Sequence, residues 1–256
     1  MRRPVARRAA MAALVLVAGC ALVRRPAEVG VPATARALLG ALEARRAATT
    51  SLRARARLKA GLAGMWTRQA VLVRRPADVR IDVLSPFGLA LALGTGSERL
   101  WIFPPAEGVR FEGSPSPETI ARFLGVPVAV EDLVDILLGL PPLRVPTGVP
   151  TATVTAEGEL EVVVPLADGY QTLWFAPGSG ELRRAEERRT GGVALRLGFG
   201  DYRDGFPWAL EVAAPEVGRG ATLAYDAVER NVDLDATLFA PPPAPRVLPL
   251  EAAAGS

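Results

Sequence analysis

The sequence predicts a mainly β protein of the α+β class, with one strongly curved antiparallel sheet and about three helices over its open side. Three observations predict it. Strand-like runs recur along the chain and are joined by short Pro- and Gly-containing turns, which pair neighbours antiparallel because parallel crossovers need about a dozen residues or more. One amphipathic helical stretch precedes these runs and two short ones interrupt them. The 256 residues, 50% hydrophobic and 22% charged, suffice for one sizeable core, and neither a fixed-period repeat nor a long linker divides them.

The first element is an address. Arg2, Arg3, Arg7 and Arg8 form a positive region ahead of a short apolar run over 9–18. That run is about half the roughly twenty residues a membrane-spanning helix needs, so residues 1–19 read as a secretory signal peptide. Cys20, the sole cysteine, follows Val17, Ala18 and Gly19, and the segment resembles the bacterial lipobox, in which that cysteine becomes the acylated first residue. Loss of the four arginines takes the formal charge from +3 to −1, so the basic balance is no nucleic-acid footprint. Several acyl chains on Cys20 would hold the chain at a membrane. Ala21, where an aspartate would resemble an inner-membrane retention signal, points to the periplasmic face of the outer membrane.

Residues 20–32, with Pro26, Gly30 and Pro32, read as a tether ahead of a domain over 33–240. Leu38, Leu39 and Leu42 share one face of a helix over 33–48. Over 51–60, Arg53, Arg55, Arg57 and Lys59 alternate with Leu52, Ala54, Ala56 and Leu58, which places the cations on one sheet face. Further strands are predicted over 65–73, 79–84, 89–93 and 99–103, with turns at Arg75-Pro76 and Ser85-Pro86-Phe87-Gly88. Ser116, Pro117 and Glu118 give a cap, an N1 proline and a first-turn acid for one helix, and a second is predicted over 131–138, with Gly139 ending it. Strands over 151–155, 160–164, 171–175, 181–187, 193–199, 208–213, 221–228 and 231–234 complete the sheet, and the proline-rich 241–256 reads as an extended tail that does not pair.

Composition closes most named chemistries. Histidine is absent, which removes Ser–His–Asp and Cys–His catalysis and histidine metal sites, and one cysteine makes no internal disulfide or cysteine-rich metal centre. Lys59, the only lysine, lies outside any phosphate-binding glycine loop. Glu131, Asp132 and Asp135 read as helix-start electrostatics rather than an acid–base pair. The expected protein is a monomer and no enzyme, without cofactor, metal or nucleic acid.

Two segments carry a resemblance. Residues 85–93, SPFGLALAL, resemble the strand–turn–strand of the outer-membrane lipoprotein receptor family LolB, and residues 119–141, TIARFLGVPVAVEDLVDILLGLP, resemble that family's helix–GxP–helix–LLGLP segment, in the same order and at matching separation. Residues 231–235, NVDLD, followed by Leu238 and Phe239, look like the closing strand of the wider LolA/LolB-fold group. The resemblance implies an incomplete β-barrel closed by helices around an apolar cavity. It also implies that the chain receives acyl chains of lipoproteins from a LolA-like periplasmic carrier and helps insert them in the outer membrane. An apolar residue at the turn tip protrudes in that family, which assigns the role to Phe87, between Pro86 and Gly88.

The expected cavity lining is Trp66, Val79, Ile81, Val83, Leu89, Leu91, Leu93 and Trp101. A fully packed interior is the alternative, since periodicity does not distinguish the two. Arg53, Arg55, Arg57 and Lys59 read either as a solvated outer face or as a docking stripe for an acidic partner. Two alternatives stand beside the receptor reading: a lipoprotein of the same fold that binds another hydrophobic cargo for export, and an assembly lipoprotein with a packed barrel.

Overall fold

Strict alternation makes the first strand. In β1 (Ser51–Ala60), Leu52, Ala54 and Ala56 are buried while Arg53, Arg55 and Arg57 face outward. The computed structural model describes residues 31–60, 64–96 and 99–250, so Cys20, the signal segment and most of the tether lie outside the described residues. The elements of the described residues fall within 31–250, so a chain beginning at Ala21 contains all of them.

The chain enters through helix α1 (Val31–Ala48) and β1, then meanders through β2 (Thr67–Arg74), β3 (Asp78–Ser85), β4 (Gly88–Gly96), β5 (Arg99–Phe103) and β6 (Val109–Gly113). Helices α2 (Pro117–Leu124) and α3 (Val130–Leu137) follow. A second meander runs through β7 (Thr151–Val154), β8 (Leu160–Leu166), β9 (Gly169–Phe175), β10 (Leu182–Arg189), β11 (Gly192–Arg203), β12 (Phe206–Ala214) and β13 (Arg219–Arg230), and β14 (Arg246–Pro249) closes the chain. Among the described residues fourteen strands form one unclosed sheet in the order β14-β6-β5-β4-β3-β2-β1-β13-β12-β11-β10-β9-β8-β7. The two meanders join where β1 pairs antiparallel with β13, and irregularities at Arg55/Ala56, Val83/Leu84 and Glu187/Arg188 help the sheet to curl.

This topology places the helices. Strands β6 and β7 lie toward opposite margins of the sheet, so the segment between them, with α2 and α3, must cross the open side. On the concave face the row Ala54, Val71, Ile81, Leu93, Ile102 and Phe111 runs in register across β1 to β6, all buried. Helix α2 begins as expected: Ser116 Oγ accepts from the Thr119 N–H at 3.3 Å, Pro117 is at N1, and Gly125 ends the helix in the left-handed region. Tyr225 of β13 donates its hydroxyl proton to the Leu137 carbonyl at 2.7 Å, which ties the end of α3 to the middle of the sheet.

Three expectations are corrected. Strand β6 was not expected, although Val109 and Phe111 alternate as buried residues with Arg110 and Glu112. Residues 231–234 form no strand: Asn231 adopts a φ of 54°, accepts from the Thr50 N–H and donates to the Ala48 carbonyl, both at 2.9 Å, which binds the chain to the α1–β1 connection. The segment then forms a single 3-10 turn (Ala236–Phe239) across the convex face, where Phe239 O accepts from Trp101 Nε1 at 3.0 Å. The tail beyond 240 does pair. Pro241, Pro242, Pro243 and Pro245 precede it, but Arg246–Pro249 lie parallel to Val109–Glu112, and Leu250 is buried against Gly113.

Candidate functional site

Under the crossing helices lies an apolar void of about 60 Å³. Leu58, Val71 and Ile81 line it from one half of the sheet, Leu210 and Leu223 from the other, and Leu124, Val126, Leu133 and Ile136 from the helical segment. Gln69 is the only polar side chain in that lining. The volume equals about two water molecules and is well below the roughly 150 Å³ of an engineered apolar cavity that admits benzene. The space beneath the helices is apolar, and the void left there is much smaller than the acyl-chain cavity the resemblance implies.

Of the eight residues expected to line the cavity, Ile81 does so. Leu93 lies opposite Ile81 in the same concave row, Val79 lies one row away on the side of the β2–β3 turn, both buried, and the half-buried Val83 and Leu91 pair one row away toward the β3–β4 turn. Trp101, Trp66 and Leu89 are corrections. Leu100, Trp101 and Ile102 are all apolar, and the register with Arg80 and Gly94 turns Trp101 to the convex face, under Phe239. Trp66 precedes β2, is 48% exposed, and lies beneath the Arg57 guanidinium at 5.7 Å. Leu89 lies beside the turn, at the irregular end of the β3–β4 pair, and is exposed.

These exposed residues share one end of the sheet. Ala60 pairs with Ala221 and Arg68 with Leu84, so the β1–β2 connection, the β3–β4 turn and the β12–β13 connection all lie at the same rim. Met65 (85% exposed), Trp66, Leu84, Phe87 (100%), Leu89 and Val217 place apolar surface there. The Pro86-Phe87-Gly88 tip is set by its neighbours rather than by the ring. Ser85 Oγ accepts from the Phe87 N–H at 3.2 Å and donates to the Gly88 carbonyl at 3.0 Å, while Gly88 takes a φ of 113°. Gly125, between α2 and α3, lies over Ala60 and Gly220, so the void is beside this rim.

The opposite end is ionic. Asp135 on α3 is 2% exposed and receives Arg46 Nε of α1 at 3.1 Å and an Arg75 guanidinium nitrogen from the β2–β3 turn at 2.5 Å. Arg144 bridges Asp132 and Glu187, each at 2.7 Å. Burial works against the charge on Arg144, but hydrogen bonds to both carboxylates and their charges hold its pKa above the ordinary guanidinium value. Asp132 and Asp135 therefore tie α3 in place, a role that helix-start electrostatics did not anticipate for Asp135. Among the described residues no group of three or more Cys, Asp and Glu side chains is arranged to hold a metal ion.

No family model matches the chain, and no curated protein does. Solved structures do match. A LolA superfamily protein from Nitrosomonas europaea superposes with a TM-score of 0.50 at 15% identity, covering 81% of this chain and 97% of its own. An outer membrane lipoprotein-sorting protein domain from Vibrio parahaemolyticus gives 0.50 at 14%, covering 81% and 97%, and a DUF1329 family protein from Desulfovibrio piger gives 0.52 at 13%, covering 81% and 96%. The chain shares the fold of these proteins.

On this half-barrel the basic stripe lies on the convex face of β1. Arg53 pairs with Glu229 at 3.4 Å and Arg57 with Asp226 at 3.1 Å, both on β13. Arg55 and Lys59 make no ion pair among the described residues. Gln69 went unremarked in the sequence although a signal was there: it stands two residues before Val71 and four before Val73, in the series that faces inward.

Proposed function

We propose that the chain is an envelope lipoprotein, anchored by acylated Cys20 to the outer membrane, that takes acyl chains of lipoproteins from a LolA-like carrier and passes them to the bilayer without making or breaking a covalent bond. The observation that carries this reading is the coincidence of the apolar void with an apolar rim at one end of the half-barrel. A chain leaving the void meets Phe87 and its neighbours before it meets water. The neighbour from Vibrio parahaemolyticus, an outer membrane lipoprotein-sorting protein domain, supports the same class of cargo.

An acyl chain needs more room than the void offers, so uptake requires the α2–α3 segment to move outward. Its ion pairs lie at the far end, while among the described residues its rim end is held by apolar contacts and by a hydrogen bond from Arg219 to the Ala121 carbonyl at 3.2 Å. Opening at the rim therefore breaks the fewest strong contacts. The small void equally favours a second reading, an assembly lipoprotein with a packed barrel that docks a protein partner. A chain beginning at Ala21, exported behind a cleavable non-lipoprotein signal peptide, purified from the periplasm and analysed by mass spectrometry, discriminates between them. Copurified acyl lipid, and transfer from carrier-bound lipoprotein to vesicles, are the expected results. No lipid and no transfer would defeat the receptor reading.

A further inference from the structure

Gln69 is 2% exposed, and its Oε1 has no hydrogen-bond partner among the described residues. The orientation of its amide follows from its neighbours. Thr67 Oγ1 donates to the Leu58 carbonyl at 3.1 Å, which accepts only, so the threonine oxygen must accept from the amide nitrogen of Gln69 at 2.8 Å. The amide oxygen is thereby left as an unpartnered acceptor on a residue of an otherwise apolar lining, and it has almost no accessible surface while the helices stay down. A buried acceptor without a donor is destabilising, and a leucine or methionine at this position would avoid that cost.

We infer that the void is the inner part of a site for an acyl chain carrying a hydrogen-bond donor near its polar end, and that Gln69 Oε1 accepts from that donor. The inference rests on the lipid-uptake reading above and specifies its ligand. Depth fixes where on the chain the donor lies. Thr67 is exposed at the rim, and Gln69 follows two residues later, roughly 7 Å along a strand. A donor at that depth is a few atoms from a headgroup held at the mouth. A hydroxyl on the third carbon of an acyl chain and the N–H of an amide-linked acyl chain both meet the requirement; an unsubstituted ester-linked chain does not.

The test is calorimetric titration of the chain beginning at Ala21 with myristic acid, 3-hydroxymyristic acid and N-myristoylglycine. Either or both donor-bearing ligands should bind three- to tenfold more tightly than myristic acid, the difference one net hydrogen bond makes. Which of them gains identifies the source. Gln69→Leu and Gln69→Met, each checked for an unchanged circular-dichroism spectrum, should bring all three ligands within twofold of one another. Measurable but equal affinities in the parent protein would overturn the inference and leave lipid uptake standing, as would a preference that persists in both variants. No binding of any of the three would overturn the uptake reading and this inference with it.

Discussion

Replacing Phe87 by glutamate separates membrane contact from folding. The ring is fully exposed, and the turn that bears it is held by Ser85 and by the left-handed Gly88. Folding should therefore be unaffected, with stability changed by less than about 0.5 kcal/mol, as for surface substitutions that touch no special feature. Transfer of a fully exposed phenylalanine side chain into an apolar phase yields roughly 1.5–3 kcal/mol. At about 1.4 kcal/mol per tenfold change, vesicle affinity should fall by roughly ten- to hundredfold, and a carboxylate repelled by anionic lipid adds to the loss. Met65, Trp66, Leu84 and Leu89 remain at the same rim, so a residual affinity is expected. The assay is flotation of the chain beginning at Ala21 with phosphatidylglycerol-containing vesicles, alongside a thermal melt. An unchanged melt with unchanged flotation would show that the tip makes no membrane contact and would remove Phe87 from the mechanism.

Three further outcomes follow from the packing. Asp135→Ala leaves Arg46 and the largely buried Arg75 without their shared carboxylate and should cost about 3 kcal/mol in denaturant unfolding; a loss below about 1 kcal/mol would mean that the cluster does not hold α3. Gly94→Ala places a Cβ 2.5 Å from the Trp101 ring and 3.0 Å from the Val79 carbonyl, so roughly 1–3 kcal/mol should be lost together with a shift in tryptophan fluorescence, and an unchanged emission maximum would contradict that contact. Burial pushes the Tyr202 phenol up to about 12 from an ordinary 10 and raises that of Tyr225 as well. The folded state favours the neutral phenols, so stability present below pH 10 should fall as pH rises toward 12. Tyrosinate absorbance and circular dichroism should then change together, and early ionisation of all three tyrosines in a folded protein would refute the assignment.

Local rules made most of the architecture legible. The alternation over 51–60 predicted β1 to the residue, and Ser116-Pro117 predicted the start of α2, because each depends on neighbours in sequence. The parallel pairing of β14 with β6 joins residues more than a hundred positions apart and leaves no local trace, so a proline-rich segment read as a tail became a strand. The site was less legible for a related reason. Period two assigns Val79, Ile81, Val83, Leu91 and Leu93 to one face but does not say how far the helices descend onto it. For Leu100-Trp101-Ile102, apolar at every position, it does not choose a face at all. Asp135 needed two distant arginines before its burial made sense.

Because the fourteen strands never close into a ring, two margins of backbone are left able to recruit a further strand from another molecule. Both are poor templates. One is β14, four residues long and ending in Pro249, which has no amide proton to offer; the other is β7, also four residues, with Thr151 and Thr153 exposed to solvent. The carboxy-terminal strand thus shields the longer β6 from edge-to-edge polymerisation, and a protein shortened to end before Arg246 should aggregate more readily than the full chain, since it bares that edge and also loses the buried Leu250.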